Sequence, residues 1–252
     1  MITRYQLNTY LQELLNVNSI PDYCPNGLQV EGKPDIHKIV TGVTANLALL
    51  KAAIIAKADA IIVHHGYFWK SEEQAIVGIK RKRIQTLLEN EMSLFAYHLP
   101  LDVHQPLGNN AQLAKLLNLT IEKTLTIDNI PDLLFIGKFK QPITSIEFSS
   151  QIKAALGRNP LAIADENIQM KTIAWCTGAA QRYIELAAKE GVDAYLTGEV
   201  SEPTVHIARE THTNFFAAGH HATERYGVKA LGDHVAEAFG IAHEFIDIDN
   251  PV

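Results

Sequence analysis

The sequence predicts an α/β protein in which one β-α-β-α-β unit occurs twice. Short strands that are apolar on both faces alternate with helical patterns, as in a mostly parallel sheet covered on two sides. The order of elements in the first half returns in the second, down to short runs of residues. Histidines and carboxylates collect where strands end, which is where open α/β sheets hold their ligands.

The elements follow in order. Thr3 is an N-cap for an opening helix whose apolar stripe is Leu7, Tyr10, Leu11, Leu14 and Leu15, and the pattern stops before Pro21. Pro21, Pro25 and Asn26-Gly27 then make 21–32 read as a structured turn rather than a regular element. A strand over 39–44, a helix over 47–57 and a strand over 60–63 come next, the last ending at His64, His65 and Gly66. A helix over 78–90 and a strand over 93–97 complete the unit.

The second half gives a strand over 173–177, a helix over 181–190, and a strand over 194–197 that ends at Gly198 and Glu199. A helix over 203–210 and a strand over 214–218 follow. Ala58-Asp59-Ala60 matches Val192-Asp193-Ala194, and the run from Ala96 through His98 to Asp102 matches the run from Ala218 through His220 to Glu224. Between the halves, residues 118–160 read as a β-rich extension with strands near 124–127, 133–139 and 143–148. The tail reads as a helix over 232–239 and a strand over 243–248. The division between lobes is expected at 126/127, with His64, His65 and Asp102 in 1–126 and His220 and Glu224 in 127–252.

Composition narrows the function classes. Lys and Arg total 22 against 28 Asp and Glu, a net charge of -6, which leaves no basic footprint for nucleic acid. With 47% hydrophobic residues the chain is neither disordered nor fibrous. Only Cys24 and Cys176 are present, too few for a disulfide framework or a multi-Cys zinc knuckle, and a reducing cytoplasm is the expected location. The most apolar region, 47–63, is broken by Lys51, Lys57 and Asp59, and the first ten residues lack a charged head and apolar core. Neither a membrane span nor a signal peptide is expected.

Histidine is the informative residue, because six of the 11 lie in three short segments. His64 and His65 would point to opposite faces inside a strand, but at its end, before Gly66, they can converge, and two neutral imidazoles suit Zn, Mn, Fe or Ni. In His98-Leu-Pro-Leu-Asp102, Pro100 argues against a regular helix, so Asp102 is expected in a loop as a hard oxygen ligand able to bridge two ions. His220 and Glu224 lie four residues apart, on one face if the chain turns helical, and neighbouring His221 reads as solvent-facing. Five ligand-type side chains exceed what one catalytic ion takes from protein. The economical reading is two divalent ions about 3.5–4 Å apart, a site that favours hydroxide or phosphate and therefore hydrolysis.

Four ordered motifs carry a wider likeness: Asn26-Gly-Leu-Gln-Val-Glu-Gly32, Asp59-Ala-Ile-Ile-Val-His-His-Gly66 with His98-Leu-Pro-Leu-Asp102, Thr197-Gly-Glu199, and Gly219-His-His-Ala-Thr-Glu-Arg225. With these the chain resembles the GTP cyclohydrolase I type 2 homologue family, the NGG-interacting-factor-like dinuclear metal proteins, in its short bacterial form. The resemblance implies two intertwined α/β lobes with mixed sheets and a metal site between them. It implies His64, His65, Asp102, His220 and Glu224 as ligands of two divalent ions per subunit, with Zn, Mn, Fe and Mg all compatible, and a toroidal homohexamer. His98, matched to His220, becomes a candidate general base or an orienter of a ligand. Two functions follow as expectations: a metal-dependent hydrolase of a nucleotide-like, small phosphorylated or cyclic amide substrate, and, from another class, a non-catalytic metal-binding ring scaffold or metal chaperone.

Overall fold

The computed structural model describes all residues, Met1–Val252. The chain begins with β1 (Ile2–Thr3), α1 (Arg4–Leu14), β2 (Gly27–Val30), β3 (Asp35–Ile36), β4 (Lys38–Thr44), α2 (Leu47–Ile55), β5 (Ala60–His65), α3 (Gly78–Glu89), β6 (Ser93–Ala96) and α4 (Leu99–Val103). It continues through α5 (Asn109–Leu116), β7 (Leu119–Ile127), β8 (Ile130–Ile143), α6 (Ser145–Leu156), β9 (Leu161–Ile163), β10 (Met170–Trp175), α7 (Ile184–Lys189), β11 (Ala194–Thr197), α8 (Glu202–Thr211) and β12 (Asn214–Ala217). It ends with α9 (His220–Phe239) and β13 (Ala242–Phe245). Two compact units emerge, Met1–Gly108 with Arg225–Asp249, and Asn109–Glu224 with Asn250–Val252. The chain leaves the first unit and returns to it, so the lobes are intertwined, and a single break at 126/127 would fall inside β7. No helix is long and apolar enough to cross a membrane.

In the first unit five strands lie in the order β13-β4-β5-β6-β2, parallel except for β2 against β6. Alternation along β5 decides which helices cover which face. Ala60 and Ile62 meet Leu7 and Leu11 of α1 and Val228, Leu231 and Val235 of α9, while Ile61 and Val63 meet Leu49 and Ala53 of α2 and Leu87 of α3. Each fully buried Leu, Ile or Val among these contributes roughly 1.5–3 kcal/mol. The opening helix starts as its sequence requires: Thr3 Oγ1 accepts from Gln6 N while Gln6 Oε1 accepts from Thr3 N, a reciprocal cap. The turn expected over 21–32 is in part a strand, because β2 pairs with β6.

The second unit is a six-stranded mixed sheet, β7-β8-β10-β11-β12-β9, with β10, β11 and β12 parallel. Trp175, Tyr195, Phe215 and Phe216 are fully buried in it. The expected strand over 143–148 is not formed. Thr144 instead caps α6, its hydroxyl accepting from Glu147 N and the Glu147 carboxylate accepting from Thr144 N.

The repetition is visible at the level of hydrogen bonds. Asp59 Oδ2 accepts from His37 N and Lys38 N at the start of β4, and Asp193 Oδ2 accepts from Lys171 N and Thr172 N near the start of β10. The backbone carbonyls of the same two aspartates accept from Ser93 N and Asn214 N, the first residues of β6 and β12. One residue per unit thus ties the three parallel strands together at the edge opposite the histidines.

Candidate functional site

In the first unit the site is built on the ends of β5 and β6. His64 Nδ1 lies 3.0 Å from the Tyr97 carbonyl, to which it donates, so the neutral ring keeps its lone pair on Nε2. That nitrogen is 3.5 Å from Asp102 Oδ1. The His64 and His65 rings are 4.5 Å apart, so the pair converges at the strand end as expected, and His65 Nδ1 lies 3.2 Å from Thr44 Oγ1. The His98 ring stands 5.0 Å from His64 and 5.8 Å from His65, and one ring nitrogen of each lies within 4.8 Å of the others. His64, His98 and Asp102 are all buried. Asp102 sits on α4 rather than in a loop, because Pro100 occupies the first turn, where a missing N–H costs nothing and its fixed φ suits the helix.

In the second unit His220 opens α9 and stands between two carboxylates, Nδ1 at 2.7 Å from Glu199 Oε1 and Nε2 at 3.1 Å from Glu224 Oε2. The helix places His220 and Glu224 on one face, as their spacing implies. Burial alone would lower the basicity of His220, but Glu224 and Glu199 outweigh it and push the ring up to about 9. The two carboxylates favour positive charge at this position. His221, read as solvent-facing, is buried, its N–H donating to the Val252 carbonyl.

The first unit therefore carries a cluster of His64, His65 and His98 able to hold a divalent ion, and the second sets His220 beside Glu199 and Glu224. The donor set fits such an ion: neutral imidazoles whose second nitrogen is tied to a carbonyl or carboxylate, beside carboxylate oxygens. The structure brings His64, His65, His98 and Asp102 together in one unit and His220 with Glu224 in the other. Sequence reasoning gave no role to Asp22, or to Asn26 and Gln29 of the Asn26–Gly32 motif. Asp22 Oδ1 lies 3.0 Å from His98 Nδ1, Asn26 Oδ1 accepts from His98 N, and Gln29 Oε1 accepts from Tyr67 N just after the histidine pair. The only signal was the polar residues inside the 21–32 turn, which no local rule connects to strands some seventy residues away.

Comparison with known proteins bears on the whole chain. The Duf34/NIF3 (NGG1p interacting factor 3) family model matches residues 2–251. A Vibrio cholerae protein named GTP cyclohydrolase 1 type 2 homolog is 53% identical over 249 residues, covering 98% of each chain. The solved structure described as protein ybgI, of unknown function, is 50% identical with a TM-score of 0.95 over 100% of both chains. TTHA1606 from Thermus thermophilus is 32% identical with a TM-score of 0.87, again over 100% of both. The chain belongs to the Duf34/NIF3 family.

Proposed function

We propose that the protein is a metal-dependent hydrolase in which His64, His65, Asp102, His220 and Glu224 hold two divalent ions, Zn, Mn, Fe or Mg, and His98 is the catalytic base. The observation that carries this is the gathering of three imidazoles and a carboxylate at the ends of β5 and β6, with the His64 tautomer fixed for ligation through Nε2. When bound, the ions supply Lewis-acid polarisation and a charge of +4, from which two carboxylates subtract 2, favouring an anionic substrate. The chain's own groups orient the ligands, and His98 takes up the proton of the attacking water. The relatives' name, GTP cyclohydrolase 1 type 2 homolog, supports a nucleotide-like substrate, with small phosphorylated compounds and cyclic amides as neighbouring classes. A cytoplasmic toroidal homohexamer completes the reading, and sedimentation equilibrium tests the assembly.

The test is to load the protein with each metal and screen nucleotides, phosphodiesters and cyclic amides beside His65→Ala and Glu224→Ala. Turnover of at least one class, lost in both folded variants, is expected. Stoichiometric metal without turnover across the panel overturns hydrolysis and favours a metal-binding ring scaffold or metal chaperone. A metal-free protein indifferent to chelators overturns both.

A further inference from the structure

The loop 22–26 surrounds His98 with a set of contacts that the metal ligands do not explain. Asp22 Oδ1 accepts from Tyr23 N at 2.7 Å and from the Cys24 thiol at 3.6 Å, and lies 3.0 Å from His98 Nδ1. Its Oδ2 accepts from Asn26 Nδ2 and from Leu99 N, both at 2.9 Å. The two side chains are 3% and 7% exposed. Every other group facing the carboxylate is a donor, and an ionised carboxylate has no proton to give, so His98 Nδ1 must supply the one between them. Asp22 is held as the carboxylate: burial by itself raises it, but the hydrogen bonds from His98, Asn26 and Leu99 keep it below the usual carboxylate range. Burial and the Asp22 charge push the Cys24 thiol up, so it stays a donor and does not compete as an anion. Tyr23 and Trp69 pack edge-on against the ring at centroid distances of 5.1 and 5.0 Å.

Resting on the reading that His98 moves a proton, we propose that Asp22 is its positioning residue, locking the ring as the Nδ1–H tautomer so that Nε2 is the site's proton acceptor. In the second unit repeat-related His220 likewise has Nδ1 on a carboxylate, that of Glu199. Asp22→Ala tests it. It removes the carboxylate that accepts from His98 Nδ1, so nothing holds the ring proton there and it moves to Nε2.

The experiment is 1H–15N correlation of ring nitrogens in metal-free protein labelled with 15N-histidine at pH 8, the His98 signals identified by their loss in His98→Gln. The wild type is expected to carry the proton on Nδ1 with a lone pair on Nε2, and D22A the reverse, with the His64 pattern unchanged. A wild-type ring protonated on Nε2 or on both nitrogens overturns the proposal without any variant having to fold, and so does a folded D22A that keeps Nδ1–H. On a substrate found by the panel, D22A should lower kcat about 10–100-fold with KM unchanged, and a change confined to KM counts against it. Because the tautomer is read without metal or substrate, failure of the hydrolase reading leaves this result standing, and its own failure leaves turnover untouched.

Discussion

Replacing Gly178 by Ala puts the second half of the proposed metal site under direct test. Gly178 follows β10 with φ +67, its N–H donating to Thr223 Oγ1 and its carbonyl accepting from Gly198 N. A Cβ there would overlap Glu224 Oε1 and lie 3.2 Å from both Glu224 Cδ and His220 Nε2. Glu224 is 3% exposed and has no route into solvent, so relief requires moving the carboxylate off its position beside His220. The left-handed backbone adds about 1–2 kcal/mol of strain for any residue with a Cβ. Gly157, at the end of α6 with φ +78 and nothing within 4 Å of a built Cβ, supplies the control, with the same strain and no crowding. Calorimetric melting should show G157A losing about 2–8 °C, from about 2–4 °C per kcal/mol at this chain length, and G178A losing more because of the added overlap. Titration with Mn or Zn should show G178A alone binding about 10–100-fold more weakly. If G178A binds metal like wild type, Glu224 is not a ligand; if G157A weakens equally, the effect is general strain and the site argument fails.

Three further outcomes follow from the same contacts. Asp59→Ala and Asp193→Ala should each cost about 2–4 kcal/mol in urea unfolding, because each leaves two backbone N–H groups at a strand start without their acceptor; a neutral result at either position breaks the structural equivalence of the two units. His98→Gln should retain metal in equilibrium dialysis while turnover falls about 10²–10⁴-fold, and retained turnover would remove His98 from the chemistry. Asp22 is held at about 2 against an ordinary 3.8, so its stabilisation is complete above pH 3.8 and is lost as pH falls toward 2. That amounts to about 2 kcal/mol, and acid titration of D22N should lack the corresponding drop.

What the sequence makes legible here is local or periodic. Thr3 with Gln6, and the stripe from Leu7 to Leu15, need nothing beyond one helix to be read. The five proposed ligand residues are picked out by their place at strand ends, and Asp59 and Asp193 stand out only once the halves are aligned. The failures have equally physical causes. Ile143, Ile146 and Phe148 favour strand by type, yet the Thr144–Glu147 cap decides for helix. α9 begins twelve residues before the tail helix read from sequence, because Gly227 and Gly232 look like breaks. Gly232 is there for close packing: a Cβ would come within 2.6 Å of Thr41 Cγ2. The loop 22–26 is invisible for a different reason, since its partners His98 and Leu99 are reached only through the tertiary fold.

That loop also explains why two copies of one strand frame carry different chemistry. In the second unit β11 ends on Gly198 and Glu199, so the carboxylate that orients His220 arrives from the strand next to β12. In the first unit the corresponding end of β5, next to β6, is already occupied by His64 and His65. A carboxylate for His98 therefore has to enter from outside the repeated frame, and the residues that deliver it, Asp22 with Asn26 to pin it, lie in the stretch that precedes the first repeat. On this account, His65→Glu would add a second acceptor near His98 without relieving the need for Asp22. The His98 Nδ1 is already engaged on the loop side, and only Nε2 remains for the β5 side.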